Sequence, residues 1–263
     1  MNLKAGYPFS LIRNGLVAEY PQLQQDLRVD VAIMGGGISG ALTAWYLTRA
    51  GFNCVVVDAR TIGLGSTCAS TSLLQYEIDT PLHKLIEMIG RQAAERSYQL
   101  CADAIIKLHK LAGMIGFEDF QLRNSLYYAT HKKDVDSLKK EFFVRKKMGL
   151  RLQYLDEKAV LEKTGLAAPA ALLSELGSQT DAYMFTHALY RNAMKKGLQV
   201  YDRTKIVQIE HKRRSVELST QNGYKVRAKK LVYATGYEVV NYIDKPIVHL
   251  KSTYATISEP LSI

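Results

Sequence analysis

Three consecutive glycines, Gly35-Gly36-Gly37, followed by Ile38-Ser39-Gly40, constrain this chain more than any other feature. They satisfy G-x-G-x-x-G through Gly35, Gly37 and Gly40, and the flanks give the pattern its meaning. Val29-Asp30-Val31-Ala32-Ile33-Met34 before it is short and mostly apolar, as a buried strand requires. Beyond it Ile38, Ala41, Leu42, Trp45 and Arg49 recur at helical spacing, and Gly51 closes the helix. Cys54-Val55-Val56-Val57 is a second apolar strand, ending at Asp58. A β-turn-α-β unit of this kind implies a parallel strand pair with a right-handed crossover. Its turn suits a pyrophosphate: Gly35 permits the bend, Gly37 lets the backbone come close, and Gly40 lets the helix pack on the strand. The helix start, at Ile38 and Ser39, offers unpaired N–H groups and a partial positive charge.

Asp58 stands 18 residues past Gly40, where a carboxylate accepts bonds from both ribose hydroxyls of an adenosine and repels a 2′-phosphate. Ala59 and Arg60 continue that edge. An NAD-binding unit would next supply an amphipathic helix and a third parallel strand. The segment Thr61 to Ser72 offers Gly, Ser and Thr instead, which is loop composition. Its hydroxyls and amides suit phosphate and ribityl oxygens, so a longer dinucleotide, FAD, is expected. An NAD-dependent dehydrogenase is the alternative, and it requires a helix over 61–75.

With 47% hydrophobic and 23% charged residues, the 263-residue chain is neither disordered nor low-complexity. Its three cysteines are widely spaced, so neither a metal site nor a disulfide framework follows. No apolar stretch is long enough to span a bilayer, and the first thirty residues lack a signal-peptide core, so a cytoplasmic location is expected. The formal net charge is +10, and seven of those charges lie in residues 176–263. The Lys212-Arg213-Arg214 and Arg227, Lys229, Lys230 clusters lack interleaved aromatics, so solvated turns are expected rather than a nucleic-acid face.

Further along, helical patterns cover 82–89 and about 91–111, the second with a Leu100, Cys101, Ala104, Ile105, Leu108, Leu111 stripe. A strand at 125–130, a helix from Asp134 to about Met148 and a strand at 152–155 follow. Asp156 and Gly165 bracket a short helix, and Thr186 and Gly197 another. Ile206–Glu210, Ser215–Ser219 and Tyr224–Arg227 read as a meander with a hairpin turn at Asn222-Gly223. A separate strand, Leu231–Ala234, runs into Thr235-Gly236, and one more is expected around His249–Ile257.

VDVAIMGGGISGALTAWYLTRAGFNCVVVDAR, GLGSTCASTSLLQYE, TDAYMFTHALYRNAMKKGLQVYDRTKIVQIE and LVYATG together resemble the D-amino-acid oxidase superfamily of FAD-dependent oxidoreductases. Glycine oxidase, sarcosine oxidase and D-amino-acid dehydrogenases belong to that superfamily. The resemblance implies an α/β fold: a Rossmann-like, three-layer β/β/α FAD domain (1–75 and 176–240) with an inserted α+β substrate domain (76–175 and 241–263). It implies that Gly35, Gly37 and Gly40 face the pyrophosphate, Asp58 the ribose, and Ser66 and Thr67 phosphate or ribityl. By the same likeness Val207 lies near the adenine through its backbone, and Ala234, Thr235 and Gly236 return to the nucleotide.

The implied activity is oxidation of the C–N bond of a small amine or amino acid by hydride transfer to flavin N5, with oxygen or another acceptor reoxidising the flavin. Ser72 and Gln75 are the candidates beside the ring, and no metal is implied. Tyr183 and Tyr254 are candidates for a substrate carboxylate, although packing is the simpler reading, and the six scattered histidines read as surface or core residues. Two departures stand out. Asp181-Ala182-Tyr183 replaces the usual DPY, and the family's final third, with its glycine-rich segment and carboxylate-binding arginine, has no counterpart before Ile263. A truncated product is therefore expected, and a degenerate FAD-binding or basic interaction protein without turnover is the other alternative.

Overall fold

The computed structural model describes residues 3–4, 6–242 and 249–258. Two compact units emerge, Met1–Thr71 with Asp181–Ile263, and Ser72–Thr180. The first unit opens with α1 (Phe9–Asn14), β1 (Leu27–Met34), α2 (Ile38–Arg49) and β2 (Cys54–Val57). The second contains β3 (Leu73–Gln75), α3 (Leu82–Ile89), α4 (Arg91–Met114), β4 (Phe120–Tyr128), α5 (Val135–Lys147), β5 (Leu152–Asp156), α6 (Glu157–Thr164) and β6 (Ala170–Thr180). The chain then returns to the first unit with α7 (Ala182–Met194), β7 (Gln199–Tyr201), β8 (Ile206–His211), β9 (Val216–Thr220) and β10 (Lys225–Tyr233).

The first unit is built on a six-stranded sheet in the order β7-β2-β1-β10-β9-β8. β7, β2, β1 and β10 run parallel, and β9 and β8 add antiparallel neighbours. This is a mixed α/β sheet of the expected class. All four residues of β2 are buried, as fits a central parallel strand with both faces covered. Fully burying one such valine contributes about 1.5–3 kcal/mol. One apolar cluster spans the sheet from Val55 and Val57 through Ala32 and Met34 to Val226, Ala228, Val216 and Leu218. Ala41, Ala44, Trp45 and Thr48 bury one stripe of α2, and the Trp45 indole donates to Asn192 of α7 at 2.9 Å. Small residues at that stripe let the helix approach closely.

Asp181 caps α7 by accepting from the Met184 amide at 3.0 Å, so this helix starts five residues before the expected Thr186. Thr186 sits inside the helix and donates to the Ala182 carbonyl at 2.8 Å. The face α7 buries holds Tyr183, His187 and Tyr190. Tyr20 stacks on His187 and meets its Nδ1 at 2.9 Å, while Tyr183 approaches it edge-on. Burial, helped by the nearby Arg191 cation, pushes the His187 pKa down to about 4.

The second unit centres on β6, which pairs with β4 along one side and with β5 and β3 along the other. Around it Tyr76, Leu82, Ala94, Tyr98, Ala102 and Ile105 form a core. Arg145 of α5 lies within it at 1% exposure, so its charge must be met by partners. Its Nε donates to Glu141 at 2.6 Å and its Nη1 to Glu77 at 3.0 Å, and the rings of Tyr76, Tyr98 and Tyr127 surround it. Glu141 also accepts the Leu82 and His83 amides, closing the start of α3. Burial alone would raise the Glu141 pKa, but Arg145 and the donors around His83 hold it below the usual range.

Four expectations change. The two strands expected at Tyr224–Arg227 and Leu231–Ala234 are the single strand β10, because its whole length pairs with β1. Of the expected α4 stripe Ile105 and Leu111 are buried, but Leu100 and Ala104 are exposed, and Ala94, Tyr98 and Ala102 supply the buried face in the first half of the helix. β6, β3, β7 and α1 lie where no element was expected. Residues 249–258 carry no strand: they are exposed and belong to neither sheet.

Two outcomes follow. Arg145→Ala leaves two carboxylates buried without a cation and should lower stability by about 3–5 kcal/mol. Lys158→Ala, which removes an exposed pair with Glu162, should cost under about 0.5 kcal/mol. Equal urea midpoints for the two variants would contradict this ranking. His187 takes up its proton near pH 4 when folded but near pH 6.5 when unfolded, so its contribution to stability is present above about 6.5 and is lost as pH falls toward 4. Wild type should lose about 2–3 kcal/mol more than His187→Gln between pH 6.5 and 4.5 in urea titrations, and parallel curves would show the reading wrong.

Candidate functional site

The glycine turn begins where β1 ends. Gly35 has φ +113°, which strains any residue with a side chain, and its N–H donates to the Val57 carbonyl at 2.9 Å. A Cβ on Gly35 would strike the Ala234 carbonyl at the end of β10, and one on Gly40 would strike the Gly35 carbonyl. Gly36 donates its N–H to Asp58 Oδ2 at 2.6 Å, and the Arg60 N–H takes Asp58 Oδ1 at 2.8 Å. Asp58 is thereby oriented by two amides while a carboxylate offers about four acceptor positions. Its pKa is raised by burial, partly offset by these two bonds.

Residues 61–69 form successive turns, not a helix. Ile62 and Cys68 are buried and anchor the segment. The Cys68 N–H donates to the Gly63 carbonyl at 3.2 Å and that of Ala69 to Ser66 at 3.2 Å. Gly63 fits against the Tyr183 ring, where a Cβ would come within 2.9 Å. Thr67 then reaches the helix: its Oγ1 accepts the Ile38 N–H at 3.1 Å. A Cβ on Gly37 would sit 2.7 Å from that oxygen, so Gly37 makes room for Thr67 as well as for any ligand.

These elements enclose a cavity of about 450 Å³, within the range of small-molecule sites. Gly35, Gly37, Ile38, Ser39, Asp58, Ala59, Arg60, Ser66, Thr67, Ala234, Thr235 and Gly236 all line it. Gly40 stands behind the lining, in the contact between helix and turn. Val207 is absent from the lining and 57% exposed, at the register shift of β8, while Thr204, Lys205 and Ile206 just before it do line the cavity. Ser72 and Gln75 fall in the second unit, where Ser72 accepts the Thr180 amide and Gln75 pairs with Gly177. Tyr183 donates to the Gly15 carbonyl at 3.2 Å and is a packing residue, and Tyr254 is 83% exposed.

Sequence reading overlooked Glu238. It follows β10 in a short 3-10 turn and grips Arg60 with both oxygens, at 3.1 and 2.7 Å. That bond raises the Arg60 pKa and lowers that of Glu238. No local motif marks the residue, because the pairing joins positions 178 apart. Thr235 Oγ1, also in the lining, is buried with no partner among the described residues. Among those residues no group of acidic, histidine or cysteine side chains could hold a metal, and no helix is long and apolar enough to cross a membrane.

Known proteins resemble the chain over most of its length. The chain is 25% identical over 218 residues to glycine oxidase of Geobacillus kaustophilus, covering 80% of this chain and 55% of that one. The crystal structure of that glycine oxidase superposes with a TM-score of 0.69 at 22% identity, over 81% of this chain and 57% of that chain. A Bacillus subtilis protein named as a Rieske 2Fe-2S iron-sulfur protein is 23% identical over 214 residues, 81% of this chain and 41% of that one. The chain thus spans about half the length of the curated relatives it matches. The model of the DAO family, FAD dependent oxidoreductase, matches residues 30–263, and the chain belongs to that family.

Proposed function

We propose that this chain binds FAD in the cavity at the glycine turn and oxidises the C–N bond of a small amine or amino acid. The observation that carries the reading is the bond from the Ile38 amide to Thr67 Oγ1, which joins the hydroxyl-rich segment to the turn within one cavity. A segment of turns over 61–69 also argues against the NAD alternative, which needs a helix there. The donor set fits the group. The start of α2 offers amides for a diphosphate, Asp58 has acceptor positions left for ribose hydroxyls, and Thr235 Oγ1 lacks a partner that a polar ligand atom would supply. Bound flavin would supply the two-electron acceptor.

The chain's own residues bind and orient. Gly36 and Arg60 amides hold the Asp58 carboxylate still before a ligand arrives. The Arg60–Glu238 pair closes the rim beside it. Ser66 and Thr67 serve phosphate or ribityl oxygens. The glycine oxidase relative favours an amino acid, with oxygen or another acceptor taking the electrons onward.

Full-length chain reconstituted with FAD should show flavin absorbance bands, and glycine, a D-amino acid or an N-methyl amine should bleach them without oxygen. Absence of FAD uptake would overturn the whole reading. Uptake without bleaching by any of the panel would leave a binding protein and remove the oxidase. Asp58→Ala should weaken FAD binding by about tenfold or more in a fluorescence titration, because two amides lose their acceptor and the ribose its partner. Glu238→Gln removes a half-exposed ion pair and should speed FAD release by less than about fivefold. The reverse order of the two effects would contradict the assigned roles.

A further inference from the structure

The opposite end of the parallel strands holds a second, smaller concavity of about 160 Å³, lined by Asp26, Leu27, Arg28, Lys225 and Arg227. It lies at the amino ends of β1 and β10, whereas the glycine turn lies at their carboxyl ends. Arg28 and Met34 are six residues apart on β1, so the two sites are roughly 20 Å from each other.

Arg28 and Arg227 are direct partners in the register of β1 and β10. Neighbouring strands lie about 4.8 Å apart, and like charges placed opposite each other destabilise a sheet. Relief on the Arg227 side comes from Glu217, which is 8% exposed. It takes Arg227 Nε at 2.7 Å, Lys225 Nζ at 2.7 Å and, more distantly, Lys212 Nζ at 3.7 Å. One carboxylate therefore serves three cations. Asp26 accepts the Lys225 backbone amide at 2.9 Å and stands at the rim. The Arg28 guanidinium has no ion pair or hydrogen bond among the described residues, although its backbone belongs to the β1–β10 ladder. Lys212 lies outside the lining and also pairs with Glu210 at 3.5 Å, so three cations, Arg28, Lys225 and Arg227, face the carboxylates of Asp26 and Glu217, and the excess is one positive charge in a space fit for a small oxoanion.

We propose that this concavity is an anion site in which Arg28 and Arg227 take a phosphate dianion. Guanidinium forks match the oxygens of such an anion, and a bound dianion turns the unfavourable arginine pair into a shared ligand set. Glu217 orients Arg227 through Nε, which leaves the terminal nitrogens of that fork for the ligand. Burial is not what keeps Glu217 charged: Lys225 and Arg227 hold its pKa down to about 2, so the pair persists at neutral pH. The ligand is either free phosphate or the phosphate of a monoester.

Equilibrium dialysis of full-length chain with inorganic phosphate, and separately with glycerol phosphate, at constant ionic strength tests the site. The expected result is one Arg28-dependent phosphate per chain, with affinity reduced about tenfold or more in Arg28→Gln. Tighter inorganic phosphate assigns the site to the free anion, and tighter glycerol phosphate assigns it to an ester. Phosphate held at the glycine turn would be insensitive to Arg28→Gln and sensitive to added FAD, which separates the two sites. Arg28→Gln should also melt no lower than wild type in phosphate-free buffer, since it removes a like-charge contact. Equal phosphate binding by wild type and Arg28→Gln, or equal displacement by acetate, would overturn the proposal.

Discussion

The Gly36 amide bound to Asp58 Oδ2 at 2.6 Å ties the exit of β1 to the exit of β2, and the rest of the first unit depends on that tie. Asp58 holds the Arg60 amide with its other oxygen, so a single carboxylate fixes the turn and the start of the following segment together. The glycines around it answer to protein contacts as much as to a ligand. Gly35 admits the end of β10, Gly36 admits Ile62 and Asp58, and Gly37 admits Thr67. These neighbours come from two stretches of chain, residues 58–67 and the end of β10. The fingerprint is therefore a local pattern that sets long-range packing, and the cavity is what remains once those approaches are made.

This explains why the first unit was largely legible in the sequence. Strand, glycine turn, helix and strand are each dictated by neighbours within a few residues, and the Asn222-Gly223 hairpin is equally local. The second unit was harder. β6 reads Ala-Ala-Leu-Leu-Ser-Glu-Leu-Gly-Ser-Gln-Thr, with neither alternation nor β-branched residues before its last position. It is a strand because three other strands pair with it, a tertiary cause that no window of sequence contains. Likewise the inner face of α5 carries Leu138, Glu141 and Arg145, two of them charged. A hydrophobic period misses such a face, since its two charges pair with each other and are otherwise satisfied by residues 58 to 68 positions away.

Glu238 was hidden for the same reason. Its only meaning is its distance to Arg60, and that distance is set by where β10 and β2 end on either side of β1. Val207 is a different case. Its place in an alternating strand was read correctly, but the register shift beside it turns its side chain out and gives the lining to Thr204, Lys205 and Ile206. Register, unlike strand existence, is decided by pairing and by bulges.

Charge is used in three physically different ways in this chain, which the net figure of +10 conceals. Arg145 is buried and fully met by carboxylates and rings. Arg60 is met at the rim of the cavity by Glu238, so it brings little net charge to a diphosphate there. Attraction for an anion at the glycine turn must then come mainly from backbone amides and the dipole of α2, which are fixed by folding and do not depend on a mobile side chain. Arg28 is the contrasting case, a guanidinium held beside another with no carboxylate of its own. In the proposed reading the carboxyl ends of the parallel strands would meet a diphosphate with oriented amides and with acids alongside. In the proposed anion site at their amino ends, cations would take that part.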